Sequence, residues 1–385
     1  MTNSVRLTDM ELLARLIAFD TTSARPNRPL ADFICDYLSC GAARIERFDD
    51  AAGKTNLIVR IGPQCEGGLV LCGHMDTVPA DEPDWSSGPF EMVERGGRLF
   101  GRGTCDMKGF VALAMNSMAA AAGGEALRRP LALLLTHDEE VGGLGAQRLV
   151  RECAGVATLP RSVIIGEPTR LAVVRMHKGH LKLRITIRGR PAHSGLPHLG
   201  INAIERIIDV LQGLRATAAA WRDRCPANSE YFPECSFSVL NIGMLRAGSA
   251  VNIVPEQAVV DIGIRLLPGQ RSSDAIAEIT AMVLALPAEI REAATLEIVN
   301  DNPPLLCDEQ AEINRKLCEM LGQRDSRGVS FASDAGILSA AGLQCVLWGP
   351  GDMQQAHRAN EYLEVEQLQI ARRRLDEFVN RFCRE

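Results

Sequence analysis

Five short stretches of this chain carry side chains that could hold metal ions or move protons. They are Gly101-Arg102-Gly103-Thr104-Cys105-Asp106-Met107-Lys108-Gly109, Gly73-His74-Met75-Asp76, His137-Asp138-Glu139-Glu140, Gly166-Glu167-Pro168-Thr169 and Gln355-Ala356-His357-Arg358. Four of the five follow an apolar run that reads as a buried strand. Taken singly, each has an ordinary explanation. Asp106 lies just ahead of a helical pattern, where N-cap and Asx-turn aspartates are common, and His74 could equally be a buried structural histidine. Taken together they read as a cage in which Asp106 bridges two metal ions and His74, Glu140, Glu167 and His357 complete the ligands.

The chemistry follows from the residue types. The adjacent carboxylates of Glu139 and Glu140 repel each other, and a strand end would avoid packing them unless cations share the site. One can coordinate (Glu140) while the other handles protons (Glu139). Three carboxylates and a bridging hydroxide balance the charge of two divalent cations. Mixed imidazole and carboxylate ligation suits zinc, cobalt or manganese. Asp76, two residues after His74, is placed to accept the imidazole N–H. A hydroxide shared between two ions, a polarised carbonyl and Glu139 as general acid/base amount to metal-assisted amide hydrolysis.

The elements that must position these residues fall into two patterns. An amphipathic helix is expected over 8–19 and a second over 29–39. Short apolar strands follow at 56–61, 69–72, 131–135 and 162–165. The last three run straight into His74, His137 and Glu167, as expected where functional groups collect beyond the carboxyl ends of a parallel sheet. His137 itself reads as structural. From Leu181 the pattern changes: Leu181, Leu183, Ile185 and Ile187 alternate with polar residues, the mark of a strand with one wet face. A β-α-β-β-α-β order then runs to Asn300, that of a ferredoxin-like sandwich. The first pattern resumes with a helix over 308–321, a strand over 345–348 and a last helix over 365–382. This predicts a catalytic α/β domain from 1–179 and 302–385, with an α+β domain inserted at 180–301.

Bulk properties narrow the function classes. At 385 residues two domains are expected. The net charge of −6 gives no electrostatic case for nucleic acid or an anionic membrane, and no apolar stretch reaches membrane-spanning length. Twelve cysteines include no C-x-x-C pair, and no secretory leader pattern opens the sequence. Reduced thiols in a cytoplasmic protein are expected, with Cys105 a small residue filling its turn.

The set G-H-x-D-x-V-P at 73–79, G-R-G-x-x-D-x-K-G at 101–109, the paired Glu139-Glu140 and Glu167-Pro168-Thr169 resembles the M20 family of dinuclear metallohydrolases. Within the family, His177-Lys178-Gly179-His180, Gly349-Pro350-Gly351, Gln355-Ala356-His357 and Glu361-Tyr362 are most similar to the acetylornithine deacetylases. The resemblance implies a zinc-peptidase-like catalytic domain and two Zn2+ per subunit, replaceable by Co2+. It also implies hydrolysis of an N-acyl amino acid, N-acetyl-L-ornithine above all. N-acetylcitrulline, succinyl-diaminopimelate and dipeptides are the alternative substrates. The inserted domain is implied to be a lid and the surface of a homodimer. In it, His193 (Pro191-Ala192-His193-Ser194-Gly195) would meet the transition-state oxyanion, and Asn252 and Arg265 would hold substrate. Arg265 suits a bidentate grip on an α-carboxylate. Where acetylornithine deacetylases usually show Thr-Glu-Ala, this chain has Ser333-Asp334-Ala335. If that carboxylate reads the substrate amine, the shorter Asp334 alters the preferred side chain.

Overall fold

A computed structural model describes residues 6–39, 42–325 and 327–385. The chain divides into two compact units, one of Met1–Arg175, Cys307–Arg327 and Ser333–Glu385, the other of Met176–Leu306 and Gly328–Ala332. The junctions lie a few residues from 179/180 and 301/302. The reason is strand pairing across long stretches of sequence: strand Met176–His177 pairs with Leu305–Leu306 and with Gly328–Val329, which draws those segments into the second unit.

The first unit is built on a six-stranded mixed sheet flanked by helices, the α/β architecture expected. Its strand order is Arg44–Asp49, Thr55–Ile61, Leu131–Thr136, Leu69–His74, Ser162–Ile165, Gln344–Leu347. The last four run parallel, and the first two are antiparallel to their neighbours. Strands Leu69–His74, Leu131–Thr136 and Ser162–Ile165 are buried along their whole length. That is why they read as unbroken apolar runs rather than as alternation. Helix Asp9–Ile17 begins at a capping box formed by Thr8 and Glu11 and buries Leu12, Leu13, Leu16 and Ile17. Helix Gly109–Gly123 is buried along most of its length because small residues let it lie close against its neighbours. The carboxyl-terminal helix Val365–Cys383 completes that core through Leu368, Leu375, Phe378 and Phe382.

The second unit has a four-stranded antiparallel sheet in the order Val239–Ala247, Gln257–Arg265, His180–Arg188, Ala294–Asn302. Helices Ala203–Arg222 and Ser272–Leu284 cover one face. Leu181, Leu183, Ile185 and Ile187 point into that core while their neighbours stay partly wet, which gives the period of two. Among the described residues no helix is long and apolar enough to cross a membrane, and the cysteines are free thiols.

Candidate metal centre

The sheet brings three of the five stretches together. His74 ends its strand opposite Thr136 of the parallel neighbour, and Cys72 lies opposite Ile165 on the other side. The chain therefore leaves three adjacent strands at one sheet end, carrying His74, then His137 to Glu140, then Glu167. Gly166 has to be glycine, since a Cβ there would lie 1.9 Å from the Phe110 ring. Asp106 arrives from the turn Thr104–Lys108, in non-helical backbone (φ −124°, ψ 96°) just before helix Gly109–Gly123. His357 follows the one-turn helix Met353–Gln355, with φ +59°.

Asp106 is the shared member of two clusters. One is His74, Asp106 and Glu167, the other Asp106, Glu140 and His357, and within each the ligand atoms all lie within 4.8 Å of one another. Its two oxygens face opposite ways. Oδ1 is 3.1 Å from His74 Nε2, and Oδ2 is 3.2 Å from His357 Nε2. Glu140 Oε2 lies 3.0 Å from the same His357 nitrogen.

The imidazole of His74 is oriented by a different atom from the one expected. Its Nδ1 lies 2.9 Å from the backbone carbonyl of Asp76, whereas the Asp76 carboxylate is 3.6 Å away. That carboxylate is occupied elsewhere. Its Oδ1 accepts the backbone N–H of Glu139 at 3.1 Å, and its Oδ2 accepts that of Glu140 at 3.2 Å and the Ser23 hydroxyl at 2.7 Å. Asp76 therefore holds the acidic loop, while its peptide carbonyl leaves Nε2 of His74 free to act as a ligand.

A second carboxylate does the same for Asp106. Glu361 Oε1 accepts the backbone N–H groups of Cys105 and Asp106, and Oε2 accepts Gly103 N–H and the guanidinium of buried Arg102. Gly103 has φ +86°, where an L side chain is strained. The Cys105 thiol is buried against the Asp352 carbonyl, and burial raises its pKa well above the usual value, so it is a packing residue and not a nucleophile.

The electrostatics match a site made for cations. Burial pushes the carboxyls of Glu139 and Glu167 well above the usual range, and that of Glu140 upward, with mutual repulsion adding to each. For Asp106, burial acts upward, but the hydrogen bonds from His357 and His74 outweigh it and hold the group low. His357 is raised to about 10 by Asp106 and Glu140. Divalent cations on these nitrogens and oxygens would supply the positive charge that the crowded carboxylates call for, so the donor set fits them.

The sequence agrees with this geometry. The model of peptidase family M20/M25/M40 matches residues 70–381. The chain belongs to that family. It is 37% identical to an acetylornithine deacetylase of Myxococcus xanthus, covering 96% of each chain. Its fold resembles an M20 family metallo-carboxypeptidase from Sulfolobus solfataricus (TM-score 0.74, 14% identity, covering 97% of this chain and 98% of that one). It also resembles a dinuclear metal-binding M20 peptidase from Bacillus subtilis (TM-score 0.63, 16% identity, 96% of each). These relationships support metal-dependent amide hydrolysis, and the protein is a hydrolase.

The remaining expected site residues of this M20 chain are placed as follows. Asp334 opens helix Asp334–Ala340 and is buried beside the cluster. Thr136 Oγ1 donates to its Oδ2 at 2.6 Å, its Oδ1 has no hydrogen-bond partner among the described residues, and burial pushes its carboxyl up to about 6. In the second unit His193 is exposed and accepts the Gly195 N–H at Nδ1, 3.0 Å, which assigns its proton to Nε2. Asn252 is close by, its carbonyl accepting Ser194 N–H. Arg265 ends strand Gln257–Arg265, near enough to His177 and His180 to lower the pKa of both, after burial. Sequence reasoning gave no role to Lys54, Ser23 or Arg102. The available signal was a lysine directly before an apolar strand and an arginine inside the glycine-rich turn.

Proposed function

We propose that the chain is a dinuclear metal amidohydrolase that releases the amino group of an N-acyl amino acid, with N-acetyl-L-ornithine giving L-ornithine and acetate. The observation that carries this reading is Asp106, whose two oxygens each face a different histidine in two ligand clusters, with Glu139 beside them. His74, Asp106 and Glu167 would hold one ion, and Asp106, Glu140 and His357 the other. Zinc is the preferred metal and cobalt a working substitute. Bound there, the ions would polarise the scissile carbonyl and acidify the attacking water.

This chain's residues do the rest. Glu139 accepts the proton of the attacking water and returns it to the leaving nitrogen, so the base becomes the acid within one turnover. Asp76 fixes the Glu139 backbone. His193, protonated at Nε2, donates to the oxyanion. Arg265 grips the substrate α-carboxylate, Asn252 assists, and the free oxygen of Asp334 reads the side chain. Identity to acetylornithine deacetylases supports ornithine as the product, and a place in arginine biosynthesis in the cytoplasm is part of the same proposal. One feature favours a second substrate. Asp334 is short and already bound by Thr136, which suits the neutral ureido group of N-acetylcitrulline better than an ammonium.

A homodimer through the second unit belongs to the same proposal. Strand Val239–Ala247 is an open sheet edge with Met244 and Leu245 exposed, and helix Ala203–Arg222 exposes Ile204 and Ile208. The deciding experiment is a panel of N-acetylornithine, N-acetylcitrulline, N-acetylmethionine, succinyl-diaminopimelate and a dipeptide, following amine release by zinc-loaded protein. Glu139→Ala is expected to lose about 10²–10⁴-fold in kcat while keeping its metal. No hydrolysis of any member, or a near-normal rate for that variant, would sink the reading.

A further inference from the structure

Beyond the ligand cluster, a closed ring of buried polar contacts runs through Ser23, Lys54, Asp138 and Asp76. The Lys54 ammonium lies 2.5 Å from Asp138 Oδ1, with both side chains one-tenth exposed, and also donates to the Ser23 carbonyl. Ser23 returns its hydroxyl to Asp76 Oδ2. Asp76 receives the N–H of Glu139, the residue after Asp138, which closes the circuit. The other oxygen of Asp138 lies 3.1 Å from His137 Nδ1.

We propose that Lys54 is a positioning residue for Glu139: through Asp138 and Ser23 it holds both sides of the Glu139 peptide and so aims the proton-transferring carboxylate. The inference rests on the function proposed above. Asp138 has φ +55°, a conformation an L-residue adopts at a cost and keeps only when its surroundings enforce it. What enforces it is its carboxylate, pinned by Lys54 on one oxygen and His137 on the other. Downstream, the Asp138 carbonyl accepts Leu144 N–H and the Glu139 carbonyl accepts Gly142 and Gly143 N–H, so the turn is tied at its exit as well. Lys54 belongs to neither ligand cluster. A buried ammonium is retained only where it is paired, and here the contacts of the ammonium with Asp138 and with the Ser23 carbonyl both lead to the loop that carries Glu139. With Lys54 gone, Asp138 is a buried carboxylate without its cation, and its turn relaxes toward an ordinary backbone geometry. Displacing a proton-transfer group by about 1 Å costs on the order of 100-fold in rate.

The test uses full-length zinc-loaded protein, with Lys54→Met, Lys54→Arg, Ser23→Ala and Glu139→Gln compared on the best substrate of the panel. Folded fraction is followed by circular dichroism and bound metal by elemental analysis. The expected result for Lys54→Met is a kcat lower by about 100-fold with KM and metal content unchanged, and partial recovery in Lys54→Arg, which restores the charge. A kcat within threefold of wild type overturns the proposal, as does a loss that tracks metal content. Should Lys54→Met fail to fold, Ser23→Ala decides. It removes only the hydroxyl that bonds Asp76, and a lower kcat at constant KM supports the ring while an unchanged kcat overturns it. Wild-type protein that hydrolyses none of the panel, or Glu139→Gln with normal kcat, marks failure of the functional reading itself, and the positioning role falls with it.

Discussion

The Glu361 carboxylate accepts the backbone N–H of Asp106 at 3.1 Å, across 255 residues of sequence. The same carboxylate takes the N–H of Gly103 and Cys105 and the guanidinium of Arg102. The loop that ends in Glu361 also carries His357, so one side chain ties Asp106, the member shared by both clusters, to the segment that brings His357 into the second.

Replacing Glu361 by Ala leaves the N–H groups of Gly103, Cys105 and Asp106 without this acceptor and takes one of two carboxylate partners from the buried Arg102, which keeps Glu82. A buried donor left unsatisfied costs about 1–3 kcal/mol. We expect Glu361→Ala to lower the urea unfolding midpoint accordingly and to bind metal more weakly. A midpoint equal to wild type would show that the turn holds without it.

Metal stoichiometry separates the shared ligand from the others. Asp106→Ala is expected to lose both ions, because both clusters include it. Glu167→Ala is expected to lose only the ion shared with His74. Elemental analysis after dialysis reads this directly, and equal losses from the two variants would contradict the assignment.

Acid sensitivity of the second unit is expected from His177. Burial lowers its pKa from 6.5 to about 4, with the nearby Arg265 acting in the same direction and its Nδ1 bonded to the Lys178 carbonyl. The folded value lies below the unfolded one, so the unfolded chain binds the proton first as pH falls. The stability tied to the neutral ring is complete above pH 6.5 and is lost progressively down to pH 4, on the order of 3 kcal/mol. His177→Gln should lose less stability than wild type between pH 7 and pH 4.5 in denaturant titrations. Parallel losses would rule out this linkage.

Substrate choice is expected to follow Asp334. Asp334→Glu adds one methylene in a filled site and should shift the ratio of kcat/KM for N-acetylornithine over N-acetylcitrulline by about tenfold or more. A ratio unchanged by the substitution would remove Asp334 from substrate recognition.

What the sequence made legible was whatever depends on near neighbours. The run Leu131 to Leu135 declared a buried strand because both of its faces are covered, and alternation at 181–187 declared a strand with one wet face. The donor types, and their position just after apolar strands, were equally local facts, and the G-R-G-x-x-D-x-K-G turn was open to reading from order alone. The sequence by itself thus determined the fold class and the chemistry of the candidate ligands.

Only the tertiary structure decided which atom of each residue does what. Asp76 lies two residues from His74, close enough to suggest carboxylate to imidazole, yet its carbonyl makes that bond while its carboxylate turns to the loop of Glu139 and Glu140. Glu361, Ser23 and Lys54 act across 255, 53 and 84 residues. Met176 and His177 joined the second unit through strands that follow them by more than a hundred residues. Hydrogen bonds select atoms by direction over about 3 Å, and that direction is settled only when distant segments pack, so no local pattern of residue types could have carried it.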